Sequence, residues 1–230
     1  NLLLFVVFTY WPVVHTAWLS MRSGGAGTLG TRFTPLANYV RLLGDPVFWR
    51  VMLNTLVFGV SVIVIAQVIA FGIALLLNRP LRGRVFFRTL AFLPYVTTPA
   101  AAALAWVLLL DPVYGPLSYV YRIAGIDGIN LLESSTFALG ALILVGVWKE
   151  IGIASLFFLA GLQNLPAECY EAADLDGASS WAKLRHVTIP LMSPVIFFLA
   201  VSGFIAAAKA FDIVVMMTEG GPVYPASSTF

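Results

Sequence analysis

The run "VSVIVIAQVIAFGIALLL" (Val60–Leu77) contains no charged residue, and its apolar positions do not alternate with polar ones. A hydrocarbon core about 30 Å thick needs roughly 20 apolar residues of helix to cross it. A strand of a membrane barrel would instead alternate apolar and polar positions over about ten residues. The run therefore predicts a membrane-spanning helix and places the chain among the all-α membrane proteins.

The composition of the whole chain supports this class. Of its 230 residues, 60% are apolar and 10% are charged, whereas an ordinary soluble domain carries about 25% charged residues. The formal net charge of +2 is too small to indicate a nucleic-acid-binding surface. The single cysteine, Cys169, excludes an internal disulfide framework. We expect a multi-pass membrane protein that contacts lipid and has no nucleic-acid partner.

Five apolar runs of spanning length follow one another along the sequence. They lie at about 2–19, 54–77, 86–110, 137–162 and 190–217. Pro94 and Pro99 fall inside the third run, and proline kinks a helix because it removes a backbone donor. The sequence therefore predicts a bundle of five transmembrane helices with a kinked or irregular third span. We expect residues 1–230 to form a single transmembrane domain.

The distribution of lysine and arginine predicts the orientation, because cytoplasmic connections are enriched in these residues. The connections at 79–88 and 163–188 contain six of them in 36 residues: Arg79, Arg82, Arg84, Arg88, Lys183 and Arg185. The connections on the opposite side, at 22–53, 111–135 and 218–230, contain five in about 70 residues. The first two connections are therefore predicted to be cytoplasmic.

The second cytoplasmic connection includes "EAADLDGASSWAKLRHVTIP" (Glu171–Pro190), which is too polar for a membrane interior. Good helix formers precede Gly177, and glycine accepts the positive φ that reverses a chain after a helix. Ser179 or Ser180 is placed to cap a second short helix. The residues alone leave two interpretations open, a docking element for a cytoplasmic protein or a solvated connector.

The spacing within this stretch resembles a known motif. Glu-Ala-Ala at 171–173, three further residues, Gly177, nine further residues and Val-Thr-Ile-Pro at 187–190 are arranged as in the EAA loop of binding-protein-dependent ABC importer permeases. That loop usually ends Ile-x-Leu-Pro, so Val187 and Ile189 are conservative departures. The full spacing, located between the fourth and fifth predicted spans, makes the resemblance specific.

The resemblance extends over nearly the whole chain. Three segments are similar to permeases of the carbohydrate-uptake type, which are related to the maltose and glycerol-3-phosphate systems: "FLPYVTTPAAAALAWVLLLDPVYGPL" at 92–117, "VWKEIGIASLFFLAGLQNLPAECYEAADLDGAS" at 147–179 and "AFDIVVMMTEGGP" at 210–222. Ser118 departs from the asparagine of many relatives. Such permeases have a sixth core helix after the Gly-Gly-Pro segment, and the chain opens without methionine inside an apolar run. We therefore expect the natural protein to extend beyond both ends.

The resemblance implies the fold of a type I importer permease and a role in importing a hydrophilic solute. The implied partners are a second, different permease subunit, two cytoplasmic ATPase subunits and an extracytoplasmic solute-binding protein, in the plasma (inner) membrane of a bacterium or archaeon. This chain has no GxxxxGK[ST] loop, so it is not expected to be an enzyme, and ATP and Mg²⁺ are expected in the ATPase. Residues 163–189 are then the coupling loop, with the ATPase-coupling residues Glu171, Ala172, Ala173, Asp176, Gly177 and Ala178.

Charged residues inside the predicted spans are candidates for the solute path. Each costs about 2.5–3.5 kcal/mol at a helix centre unless it is paired or faces a cavity. Lys149 and Glu150 lie near the middle of the fourth span, whereas Lys209 and Asp212 lie on one face of the fifth. The candidate solute-path residues are Trp148, Lys149, Glu150, Lys209, Phe211 and Asp212. Internal pairing of these charges, or snorkelling of their long side chains to the membrane interface, is the alternative.

Lys209 lies deeper in its span than Asp212, which predicts a cavity-facing cation and an anionic solute such as glycerol 3-phosphate or a glycerophosphodiester. A neutral sugar or oligosaccharide is the alternative solute. A secondary transporter is the alternative class of protein, but no internal repeat is visible in the sequence. A membrane enzyme would need a nucleophile with its base or a set of metal ligands, and neither is recognisable. We therefore expect no catalytic residue and no metal site.

Overall fold

The computed structural model describes residues 2–23, 32–80, 82–123, 125, 130–134 and 136–220. Helices account for most of these residues, and a single pair of two-residue strands accompanies them. The prediction of an all-α chain is therefore confirmed. The chain divides into two compact units, Asn1–Arg50 and Val51–Phe230. The predicted continuation into a sixth helix lies outside the described residues, which end at Gly220.

The first unit begins with three helical segments that follow one another without a gap. They are α1 (Leu2–Phe5), a π-helical turn (Val6–Tyr10) and α2 (Trp11–Ser20). The antiparallel strands β1 (Arg22–Ser23) and β2 (Arg32–Phe33) follow, and then α3 (Ala37–Leu43). Asn38 Nδ2 donates to the carbonyl oxygens of Ser20 and Arg22 at 2.8 Å each, which ties α3 to the end of α2.

The helix α4 (Pro46–Leu77) carries the chain into the second unit, which contains the remaining helices. The membrane-region helices are α5 (Arg84–Val96), α6 (Pro99–Leu110), α8 (Ala138–Gln163), α12 (Ser193–Ala208) and α13 (Phe211–Thr218), and the short α7 (Ser118–Ile123) follows α6. The short helices α9 (Ala167–Leu175), α10 (Ser180–Lys183) and α11 (Ile189–Leu191), with a π-helical turn (Leu184–Thr188), lie between α8 and α12.

Two helices are long and apolar enough to cross a membrane by themselves, α4 with 32 residues and α8 with 26. Two bent pairs also qualify when each pair counts as one span, α5 with α6 and Ser180–Leu191 with α12. The described residues thus contain two candidate spans, or four with the bent pairs, where the sequence predicts five. The predicted span at 2–19 is divided among shorter helical segments, and its passage through a membrane stays a prediction.

The third predicted span is broken, as its prolines indicate. The helices α5 and α6 are bent by 100° relative to each other. Thr97 and Thr98 between them have extended backbones, with ψ angles of 138° and 145°. A proline disfavours helical geometry in the preceding residue, so Pro99 explains the extended conformation of Thr98. The prediction of a kinked or irregular third span is confirmed.

The fifth predicted span, at 190–217, is not a single helix. Helix α12 begins at Ser193 with a proline in its first turn and ends at Ala208, and α13 begins at Phe211. Lys209 and Ala210 leave helical geometry, with ψ angles of 10° and 36°. The apolar composition is continuous across this point, which is why the sequence predicts one helix there.

Helix α8 lies at the centre of the second unit and contacts α5, α6, α12 and α13. Helix α4 buries one stripe with a spacing of four residues, made of Asn54, Phe58, Val62, Ala66, Ala70 and Ala74. Small residues along such a stripe let neighbouring helices approach closely. The van der Waals packing that results is one of the forces that hold helices together in lipid. Large apolar side chains on the outer faces are exposed, as a surrounding bilayer requires.

Helices α5 and α8 approach each other closely at Gly152. A β-carbon at this position would lie 2.9 Å from Tyr95 Cβ and 3.0 Å from the Tyr95 backbone nitrogen. Gly152→Ala should therefore push the helices apart, and overpacking of this kind costs about 1–3 kcal/mol. We expect a lower midpoint of thermal unfolding for the purified protein. Gly72→Ala is the matched control because nothing lies within 4 Å of its added carbon, and an equal midpoint for both variants would contradict the prediction.

Candidate functional site

The polar stretch after α8 contains a tight reversal centred on Gly177. Gly177 has φ = +71°, as the sequence predicts. Its N–H donates to the Asp174 carbonyl at 3.1 Å, and the Ala178 N–H donates to the Ala173 carbonyl at 2.9 Å. These two bonds form a Schellman motif, which satisfies the last carbonyls of α9. The reversal is therefore built by backbone geometry that requires a residue tolerant of positive φ.

The second arm of the reversal starts directly after this turn. Ser179 Oγ accepts a hydrogen bond from the Ala182 N–H at 3.2 Å, so Ser179 rather than Ser180 is the capping residue. Helical segments then continue from Ser180 to Leu191, including the π-helical turn. Pro190 therefore lies in the second arm and does not open the next span. A bend of 61° separates this arm from α12.

Two side-chain contacts join the arms. Lys183 Nζ, on the second arm, pairs with the Asp174 carboxylate on α9. The hydroxyl groups of Tyr170 and Thr188 lie 2.9 Å apart, and Thr188 is buried. An ion pair at the tip and a hydrogen bond at the base therefore hold the angle between the arms. We call the segment 167–191 the coupling hairpin, after the role that its sequence predicts.

The tip of the coupling hairpin exposes an apolar side chain. Leu175 is 90% exposed and stands between two acidic residues, Asp174 and Asp176. Trp181 on the second arm is 67% exposed. Sequence reasoning did not select either residue, although an isolated leucine in a polar turn was a usable signal. Of the predicted coupling residues, Glu171, Ala172, Asp176 and Gly177 are exposed, and Ala173 and Ala178 are partly buried.

A second feature is a cavity of about 360 Å³ between the helices of the second unit. It is lined by four of the predicted solute-path residues: Lys149, Glu150, Lys209 and Asp212. The other two, Trp148 and Phe211, are not among its lining residues. Trp148 instead packs edge-on against Trp106 of α6, with ring centroids 5.7 Å apart.

The charged residues that line the cavity do not form ion pairs with the oppositely charged residues nearest to them in sequence. No ion pair joins Lys209 to Asp212 or Lys149 to Glu150 in the described structure. Lys209 follows the last residue of α12, where the helix dipole favours a cation, and Asp212 lies in the first turn of α13, where it favours an anion. The break between the two helices therefore accommodates each charge separately, and the predicted common helix face does not exist.

The Glu150 carboxylate lies close to α12 at Gly203. A β-carbon at Gly203 would lie 3.4 Å from Glu150 Oε1, and both residues line the cavity. Lys149 Nζ donates to the Thr97 carbonyl at 2.7 Å. The cavity is therefore lined by a carboxylate residue on α8, Glu150, and by an exposed lysine directly after α12, Lys209.

A compact turn follows α6 on the side predicted to face outward. Asp111 Oδ1 accepts from the backbone N–H groups of Tyr114 at 2.7 Å and Val113 at 2.8 Å. Together with Gly115, these donors hold the pKa of the Asp111 carboxyl below its usual value. A β-carbon at Gly115 would lie 2.5 Å from the Asp111 carbonyl oxygen, so only glycine fits this turn.

Residues 42–229 match the family described as "Binding-protein-dependent transport system inner membrane component". The chain belongs to this family. The matched region includes the coupling hairpin and every residue that lines the cavity.

Relatives of this permease include transporters of two kinds of solute. It is 35% identical over 223 residues to the sn-glycerol-3-phosphate transport system permease protein UgpA of Brucella abortus, covering 96% of this chain and 76% of the relative. It is 32% identical over 217 residues to the trehalose/maltose transport system permease protein MalF of Thermococcus litoralis, covering 94% and 74%.

A solved structure shares the fold of the permease. It is a bacterial ABC transporter involved in the import of the acidic polysaccharide alginate, with a TM-score of 0.81 and 22% identity. The match covers 99% of this chain and 77% of the transporter chain. The predictions of an ABC importer permease, a helical membrane bundle and a transport component rather than an enzyme are confirmed by the family and its relatives. The secondary transporter and the membrane enzyme are therefore rejected.

Proposed function

We propose that the permease is driven by cytoplasmic ATPase subunits that bind the coupling hairpin. The observation that supports this is a braced reversal carrying a 90% exposed leucine at its tip. An exposed apolar anchor surrounded by polar residues is typical of a binding surface. Because hydrogen bonds and an ion pair hold the two arms together, movement of the ATPase would be transmitted to α8 and α12 rather than absorbed in the hairpin.

The complete importer would contain further subunits. We infer a second, different permease, two ATPase subunits that hold ATP and Mg²⁺, and an extracytoplasmic solute-binding protein, as the resemblance implies. The dependence on a binding protein is part of the family description. The complex would lie in the plasma (inner) membrane of a bacterium or archaeon, with the coupling hairpin in the cytoplasm, because the connections that carry Arg79 and Lys183 are richest in basic residues.

Photo-crosslinking tests the ATPase contact. A benzoylphenylalanine in place of Leu175 should cross-link, in membranes containing the whole importer, to the subunit that binds a labelled ATP analogue. The same substitution at Val113, which is 70% exposed in the turn after α6, is the control and should give no such product. Absence of an ATPase adduct at Leu175, with Val113 equally silent, would contradict the proposal.

The cavity is proposed as the solute path, with an anionic organic solute such as sn-glycerol 3-phosphate as its occupant. Lys209 supplies an exposed cation on the cavity wall, and charge-assisted hydrogen bonds to phosphate are strong. A relative named for sn-glycerol 3-phosphate supports the same solute. A neutral sugar is the second candidate, because Glu150 supplies an acceptor for hydroxyl groups and another relative is named for trehalose and maltose.

Lys209→Ala should weaken uptake of radiolabelled sn-glycerol 3-phosphate. Loss of a hydrogen bond to a charged group costs about 1.5–3 kcal/mol, or roughly tenfold to a hundredfold in the transport rate at low solute concentration. Lys209→Arg should retain part of the activity because it keeps the charge. Uptake into vesicles containing the whole importer measures both variants.

Arg122→Ala is the control, since this exposed cation lies on α7 and does not line the cavity. Uptake of labelled maltose should be measured in parallel. Wild-type uptake of sn-glycerol 3-phosphate by Lys209→Ala would overturn the anionic assignment. Uptake of maltose alone would favour the sugar.

A further inference from the structure

The break between α5 and α6 leaves backbone groups without helical partners. The last carbonyls of any helix lack intrahelical donors. In a membrane these groups need partners from the protein or from a water-filled cavity, because the hydrocarbon core itself holds no water. The extended backbones of Thr97 and Thr98 prevent α6 from supplying them. Side chains are one source of donors for the carbonyl groups at the end of α5.

Two side chains reach these carbonyls. Lys149 Nζ, on α8, donates to the Thr97 carbonyl at 2.7 Å and lies 3.5 Å from the Pro94 carbonyl. Thr97 Oγ1 donates to the Pro94 carbonyl at 2.7 Å. Lys149 is 52 residues from Thr97 in sequence, so this is a tertiary contact rather than a local cap. A cation is favourable at this place because a helix C-terminus carries partial negative charge.

The same face of α8 also fixes the distance to α5. Gly152 lies three residues after Lys149, and residues at this spacing are neighbours on a helix surface. Gly152 has no β-carbon, and this lets the Tyr95 backbone come close to α8. A β-carbon at position 152 would lie 3.0 Å from the Tyr95 nitrogen. One face of α8 therefore packs against the end of α5 and donates hydrogen bonds to its terminal carbonyls.

The break forms part of the cavity wall. Tyr95, Thr97 and Pro99 line the cavity together with Lys149. We propose that Lys149 is a positioning residue that holds the α5–α6 break in its bent form, and that it is not a solute-binding group. The proposal uses the cavity of the proposed function, but it concerns the shape of the wall and not the solute. Lys209 is then the cavity lysine whose ammonium group is available to a ligand.

The bend at the break can be followed as a distance between two spin labels. Val85 and Leu108 are 79% and 71% exposed and lie near the far ends of α5 and α6. Cysteines replace both residues in a Cys169→Ser background, and each introduced cysteine carries a nitroxide label. The labelled permease is measured within the whole importer in lipid nanodiscs. An unbroken helix would separate the two positions by about 35 Å at 1.5 Å per residue, and the bent form holds them closer.

Lys149→Met removes the donors and the charge while keeping an unbranched side chain. We expect double electron–electron resonance to show a broader distance distribution, shifted by several ångströms towards the straight-helix value of about 35 Å. Lys149→Arg should restore the wild-type distribution because it keeps a cationic donor. Lys209→Met is the matched control, since it removes a lysine from the same cavity without touching the break.

An unchanged distribution in Lys149→Met would overturn the proposal, and so would an equal shift in Lys209→Met. If Lys149→Met does not accumulate in the membrane, Lys149→Gln replaces it. The amide is uncharged and its side chain is one bond shorter than that of lysine, so a smaller shift in the same direction is expected, and no shift would again overturn the proposal. The distances are recorded without solute, so this result and the uptake results can fail independently.

Discussion

Gly177→Val is expected to reduce solute uptake about tenfold or more while the permease still inserts into the membrane. The left-handed conformation at φ = +71° costs a non-glycine residue about 1–2 kcal/mol, and a β-branched residue more. Nothing lies within 4 Å of an added β-carbon, so the cost is conformational and does not come from a clash. The Schellman bonds would be lost, and the arm that begins at Ser179 would point in another direction.

Uptake by vesicles and co-purification of the ATPase subunit should both fall by about tenfold or more, as expected for a change of 1–2 kcal/mol or greater. Gly177→Asn should be milder because asparagine adopts positive φ more readily. Gly140→Val is the matched control, with equal open space around the added carbon and no positive φ. Normal uptake by Gly177→Val would show that the reversal does not need this conformation.

Leu175→Asp is expected to release the ATPase subunit from the permease. Burying a leucine side chain contributes about 1.5–3 kcal/mol, which corresponds to roughly tenfold to a hundredfold in affinity. Aspartate would also add a third negative charge beside Asp174 and Asp176. Co-purification at increasing dilution of the detergent-solubilised complex measures the loss.

Val113→Asp is the control for this variant, because Val113 is also an exposed apolar residue in a turn outside the membrane segments. It should co-purify with the ATPase as the wild type does. Because Leu175 is 90% exposed, the free permease should fold normally in both variants. Wild-type ATPase retention by Leu175→Asp would remove the hairpin tip from the proposed interface.

The helical membrane class and the reversal at Gly177 were predictable because their causes are local. A charge-free run of 18 residues has few alternatives to a helix in lipid. The turn at Gly177 and the break before Pro99 depend on the conformational preferences of one or two residues. The same locality made Ser179 a predictable cap, although the choice between Ser179 and Ser180 needed the structure.

The break at Lys209 and Ala210 was not predictable, because no proline or glycine marks it and the surrounding composition favours an unbroken helix. The exposure of Leu175 was also not predicted, although an isolated leucine in a polar turn was a signal for it. The sequence by itself determined the class, the positions of the polar hairpin and the third-span break, and the list of charged residues in the spans. Only the tertiary structure decided how those charges are used, since Lys149 finds its partner 52 residues away at Thr97, across a helix packing that no local preference encodes.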